Sequence, residues 1–116
     1  MMSFPAHAQT NDEVFLIVEQ MPEFPGGQEA LLKFLHKNLN YPDKTEHWVG
    51  RVIVSFIIEK DGSINPEYTK VIKSIGSTTF DKESLRVIHL MPKWNPGKQR
   101  GIPVRVRYNL PIQLDP

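Results

Sequence analysis

The sequence predicts an α+β fold: a two-layer sandwich with two helices on one face of a three-stranded antiparallel sheet. Three observations carry this. Apolar stripes with three- and four-residue spacing occur twice, around 28–39 and 79–91. Two segments, 51–60 and 103–114, alternate apolar and polar residues as strands do. An Asp61-Gly62 pair after the first of these is a hairpin signal, because glycine accepts positive φ without steric cost.

In chain order, Val14 to Val18 is a short apolar run and reads as a possible extra N-terminal strand. Residues 1–13 before it read as a flexible tail or as the remnant of an export signal, since Ala6-His7-Ala8 matches the small-x-small end of a secretory leader. MPEFPGG at 21–27 is a turn-rich bridge, because its prolines and glycines interrupt helix and ladder alike. Gln28 to Leu39 forms a helix with Leu31, Leu32, Phe34, Leu35 and Leu39 in its stripe, and Tyr41-Pro42 stops it. Asp43 to Gly50 is a polar connection.

Arg51 to Lys60 is a strand with Val52, Val54, Phe56 and Ile58 on one face and Ile53 and Ile57 on the other. Apolar residues on both faces place it centrally. The returning strand runs from about Ile64 to Ile75, with Pro66 suiting an edge or a bulge. Thr79 to Met91 is the second helix, capped by Thr78, Thr79 or Asp81, with Phe80, Ser84, Leu85, Val87, Ile88 and Met91 on its buried side. After the loop KWNPGKQRG, the last strand spans Pro103 to Leu114. The three strands order as 64–75, 51–60, 103–114, which joins the outer pair through a right-handed split βαβ crossover and leaves the last strand at an edge. The expected core comprises Leu31, Leu35, Val52, Val54, Phe56, Leu85, Ile88 and Val106.

The chain of 116 residues fits one domain, expected over 14–114. Its net charge of +1 names no partner. The charge is nevertheless uneven: five acids and no Lys or Arg precede Lys33, and five bases with no acid fall between Lys93 and Leu114. Either the two ends attract each other, or the basic end favours an acidic partner, or both are solvated surface. With no cysteine, disulfides, thiolate metal sites and thiol catalysis are excluded. No apolar run reaches the 18 or so residues of a membrane-spanning helix.

No catalytic constellation emerges. His7, His36, His47 and His89 lack metal-ligand spacing, Gly26-Gly27 lacks the Lys-Ser/Thr of a phosphate loop, and Asp81 and Glu83 sit where a helix start favours acids anyway. An enzyme is therefore not expected, nor a cofactor, nor a metal. Nucleic acid is not expected either: Tyr108 shares the inward parity of Val104, Val106 and Leu110, and Trp94 anchors its loop on the core.

The clean alternation at the last strand raises the question of its edge. An exposed edge invites another strand. Val104, Arg105, Val106, Arg107, Tyr108, Asn109 and Leu110 form a proline-free stretch available for β-augmentation by a partner peptide. The same residues also suit an ordinary edge protected by Arg105 and Arg107.

The stretches PEFPGGQEALLKFLHKNLNYP (22–42), GRVIVSFIIEKDGSI (50–64) and FDKESLRVIHLMPKWNPGKQRGIPVRVRYNLPI (80–112) together resemble the C-terminal domain of the TonB energy transducers of Gram-negative bacteria. The resemblance covers about residues 14–114 and is sharpest at Tyr41-Pro42, Gly50 to Gly62 and the W-x-P-G of Trp94 to Gly97. The PEFPGG lead-in is similar to the Bacteroidetes-type branch. The resemblance implies a non-enzymatic periplasmic module that pairs its last strand, here Val104 to Leu110, with the TonB box of an outer-membrane receptor in energy-coupled transport. It also implies an inner-membrane proton-channel complex as partner, where an anchor exists in the full-length protein. This chain shows neither anchor nor Pro-rich spacer, so a second reading stands beside the first: a soluble secreted TonB-like domain in envelope protein assembly or sensing. The returning strand is about two residues longer near Asn65 to Thr69 than the family pattern, which puts its register in question.

Overall fold

A computed structural model describes residues 13–40 and 50–114. The export-signal reading of residues 6–8, the Tyr41-Pro42 stop and most of the 43–50 connection lie outside them. The elements are β1 (Val14–Phe15), α1 (Gly27–Asn38), β2 (Gly50–Ile58), a 3-10 turn (Pro66–Tyr68), β3 (Lys70–Lys73), α2 (Thr78–His89), β4 (Gly97–Gln99) and β5 (Ile102–Leu114).

The three principal strands take the expected order, β5-β2-β3, and are antiparallel. The expected three-stranded sheet needs correction, however: it is mixed and has five strands. β1 adds to β5 in parallel, and β4 pairs with β5 antiparallel. The reason is the length of β5. It has 13 residues against 9 in β2, and its pairing with β2 runs only from Val106 to Leu114. The backbone of Ile102 to Val104 overruns β2, and β4 satisfies it with Gly97 opposite Val104 and Gln99 opposite Ile102. The two residues between them, Arg100 and Gly101, have φ of 54° and 77°, the pair of positive angles that a tight primed hairpin turn requires.

The returning strand is also corrected. Ile64 makes a single bridge to Ile58, and regular pairing resumes only at Lys70. Pro66, with no amide to donate, instead opens the 3-10 turn. Asn65 caps that turn by accepting from the Glu67 amide at 3.0 Å, and Thr69 donates its hydroxyl to the Asn65 carbonyl at 2.8 Å. The surplus residues are thus looped out of the ladder, and one register shift remains between Ile53 and Val54.

Both helices pack on the sheet face made by Val52, Val54, Phe56, Ile58, Leu110 and Ile112. α1 buries Leu31 and Leu35; α2 buries Phe80, Ser84, Val87 and Ile88. Leu85, expected in the core, is only partly buried, and Leu32 of the predicted stripe is half exposed. α2 starts one residue before the predicted span. Its cap is Ser77, whose hydroxyl accepts from the Phe80 amide at 3.1 Å, while Asp81 is engaged by the Ser74 hydroxyl. The expected N-terminal strand shrinks from Val14–Val18 to Val14–Phe15.

Candidate strand-docking edge

β5 has two hydrogen-bonding edges. The inner one faces β2. On the outer one, Val14 lies opposite Arg105 and Phe15 opposite Val106. Val106 is matched on both sides, by Ile58 and by Phe15, so β1 and β2 flank opposite edges. From Arg107 to Gln113, no described strand pairs with the outer edge.

The predicted site residues therefore divide. Val104 pairs with β4; Arg105 and Val106 pair with β1; Arg107, Tyr108, Asn109 and Leu110 pair with β2 alone. Leu110 is buried in the helix-covered face with Tyr108 half-buried beside it, Val106 is buried close to Gly97 of β4, and Asn109 is exposed.

The two arginines lie on the opposite face and are held there. Arg105 donates from Nε to Glu59 Oε1 at 2.8 Å. Burial pushes the Glu59 carboxyl up, but hydrogen bonds from Arg105 and Asn65, with the Arg105 charge, outweigh it and hold it below its ordinary value. Arg107 donates to the Ser55 hydroxyl at 3.0 Å, which gives that buried side chain its partner. Holding these side chains across the sheet leaves the outer backbone of β5 uncovered by them.

Behind the edge, Trp94 is buried among Phe24, Phe56 and Tyr108, with ring centroids at 5.6, 5.7 and 5.0 Å. Its anchoring role was legible in the sequence. Burial pushes the Tyr108 phenol up. Beside the edge runs a groove of about 510 Å³ between α1 and the end of β5, lined by Leu32, Leu35, His36, Leu39 and Pro111 to Gln113. Sequence reasoning missed it. The available signal was a second row on α1, Leu32 and His36 four apart, left over once Leu31 and Leu35 enter the core.

The described residues hold no group of three His, Asp or Glu placed to bind a metal, and no described helix is long and apolar enough to cross a membrane. The family described as Gram-negative bacterial TonB protein C-terminal matches residues 37–115. The chain belongs to the TonB C-terminal domain family. No curated protein and no solved structure matches the sequence. Domains of this family are periplasmic, act as non-enzymatic protein-interaction modules and interact with outer-membrane receptors. The match begins inside α1, so it takes in β2 to β5 and leaves β1 outside.

Proposed function

We propose that this chain is a periplasmic peptide-binding module that pairs β5 with the TonB box of an outer-membrane receptor, in energy-coupled transport. The observation that carries this reading is the outer edge of β5, which has no strand partner among the described residues from Arg107 to Gln113. An unpaired edge offers a row of main-chain donors and acceptors, and an extended peptide satisfies them while satisfying its own. Affinity comes from the main chain. Specificity comes from the alternate side chains of the added strand, which point to opposite faces. Those on the helix-covered face reach the groove between Leu32, Leu35 and Ile112. Those on the other face lie beside Arg107, where an acidic residue gains a modest, salt-sensitive contact.

The site residues remain Val104 to Leu110, with Arg107 to Leu110 the part a partner reaches first. Where the full-length protein carries a membrane anchor, the inner-membrane proton-channel complex is the second partner. Titration of the labelled protein with a TonB-box peptide tests the proposal through amide NMR shifts. Shifts concentrated between Arg107 and Gln113 and on Leu32 and His36 are expected. Shifts confined to α2, or none with any TonB-box peptide, overturn it.

A further inference from the structure

The outer edge of β5 is not empty along its whole length. β1 occupies it at Arg105 and Val106, and the way β1 is held differs from the way the next residues are held. Val18 and Phe24 are buried. Gln20 and Lys98 exchange backbone hydrogen bonds of 3.1 and 2.8 Å, and Glu23 and Asn95 exchange bonds of 3.0 and 2.8 Å. The Glu19 amide donates to the Gln99 side chain at 2.9 Å, and the Glu19 carboxylate accepts from the Arg100 amide at 2.8 Å. Residues 18–24 are thus fastened to β4 and the core. Ahead of them, Leu16 and Ile17 are 68% and 82% exposed and add little apolar burial. Residues 14–17 are held to the sheet by a two-residue parallel pairing.

Such a short pairing is at the low end of local stability, because few hydrogen bonds and the only partial burial of Val14 and Phe15 oppose the entropy of release. It can open while the anchor at 18–24 stays closed. A partner strand lying on Arg107 to Gln113 and extending toward Val104 meets Val14 and Phe15 on the same edge.

We infer that β1 is an internal, displaceable occupant of the peptide-binding edge, so that a partner strand covering Arg105 and Val106 must first release residues 14–17. This rests on the β5 edge being the peptide site. Docked β1 protects Arg105 and Val106 on that edge from casual pairing, and lowers apparent partner affinity by the fraction of molecules in which it is docked. The device lies outside the segment matched by the family.

The absence of cysteine allows a clean test. In the full chain, the double variant Val14→Cys, Arg105→Cys joins register partners on neighbouring strands, about 5 Å apart and within disulfide span. Oxidised and reduced forms of this one variant are titrated with a TonB-box peptide by fluorescence anisotropy. Core amide shifts confirm that both are folded. The oxidised form is expected to bind about tenfold or more weakly than the reduced form, in line with population-shift arithmetic. The full-length Phe15→Pro variant, which weakens β1 pairing without a crosslink, is expected to bind more tightly than the parent. In the parent, the amides of Val14 and Phe15 are expected to lose exchange protection as peptide is added. Equal affinity of the oxidised and reduced forms, or unchanged affinity of Phe15→Pro, with peptide shifts still on β5, overturns the inference and leaves the peptide site standing. Absence of binding by every form overturns the peptide site, and the inference with it.

Discussion

The backbone amide of Trp94 donates to the carbonyl of Gly62 at 2.8 Å, and a Cβ at Gly62 would collide with the Trp94 carbonyl oxygen. The β2–β3 hairpin and the loop that leads into β4 are therefore in backbone contact. Gly62 also has φ of 89°, in the left-handed region that closes the Glu59 to Ser63 turn. Its hydrogen atom is required twice, for the turn and for the contact. Gly62→Ala is expected to lose on the order of 3 kcal/mol in chemical denaturation, by strain plus the displaced Trp94 backbone. A loss within experimental error contradicts the contact.

Phe56 is fully buried, next to Trp94 and Tyr108. Phe56→Ala is expected to cost about 3–5 kcal/mol, the usual range for a core phenylalanine. A loss under about 1 kcal/mol counts against the assignment of this face to the core.

Asp61 is exposed, yet its carboxyl is held at about 2, against an ordinary 3.8, chiefly by hydrogen bonds from the Ser63 hydroxyl and amide at 2.6 and 2.9 Å. A depressed folded-state value stabilises the fold above the ordinary value, and that contribution is lost as pH falls from about 3.8 through about 2. Ser63→Ala is expected to raise the Asp61 carboxyl toward its ordinary value, read by NMR titration, and to flatten this part of the stability profile. An unchanged titration midpoint argues against the Ser63 cap. Lys93, at 3.5 Å and well exposed, contributes little.

Glu59 differs in that burial opposes its ionisation and Arg105 restores it. Arg105→Met is expected to move the Glu59 carboxyl upward in the same titration, since the burial then loses its main counterweight. A downward move is the contrary outcome.

Along Arg107 to Gln113 of β5, successive residues turn their amides alternately toward β2 and outward. Proline scanning at Arg107 and Tyr108 uses this. Proline at the outward-facing position is expected to abolish peptide binding with little loss of stability, and proline at its neighbour to disrupt the β2 ladder. Intact binding in both folded variants rules out main-chain pairing at this edge.

Local patterns made much of the fold legible. The Leu31–Leu35 and Phe80–Val87 spacings located both helices to within one or two residues, and the parity of Val52 to Ile58 and Val106 to Ile112 placed the core face. Patterns were silent on β4. Its residues, Gly97 to Gln99, have no strand character of their own and become a strand because β5 overruns β2 and a two-residue turn brings them alongside. The Ser77 cap and the partial exposure of Leu85 were missed for a smaller reason: helix phase fixes a face more loosely than a contact does.

The sequence by itself determined an α+β domain with a long last strand, apolar on one face and cationic on the other, and a tryptophan anchoring the loop before it. Tertiary structure decided which part of that strand has no outer partner among the described residues. Val14 and Phe15 reach Arg105 and Val106 from about 90 residues away in the chain, and α1 meets Pro111 to Gln113 to form the groove. An edge is defined by what fails to pair with it, and no local pattern records pairing between segments so far apart.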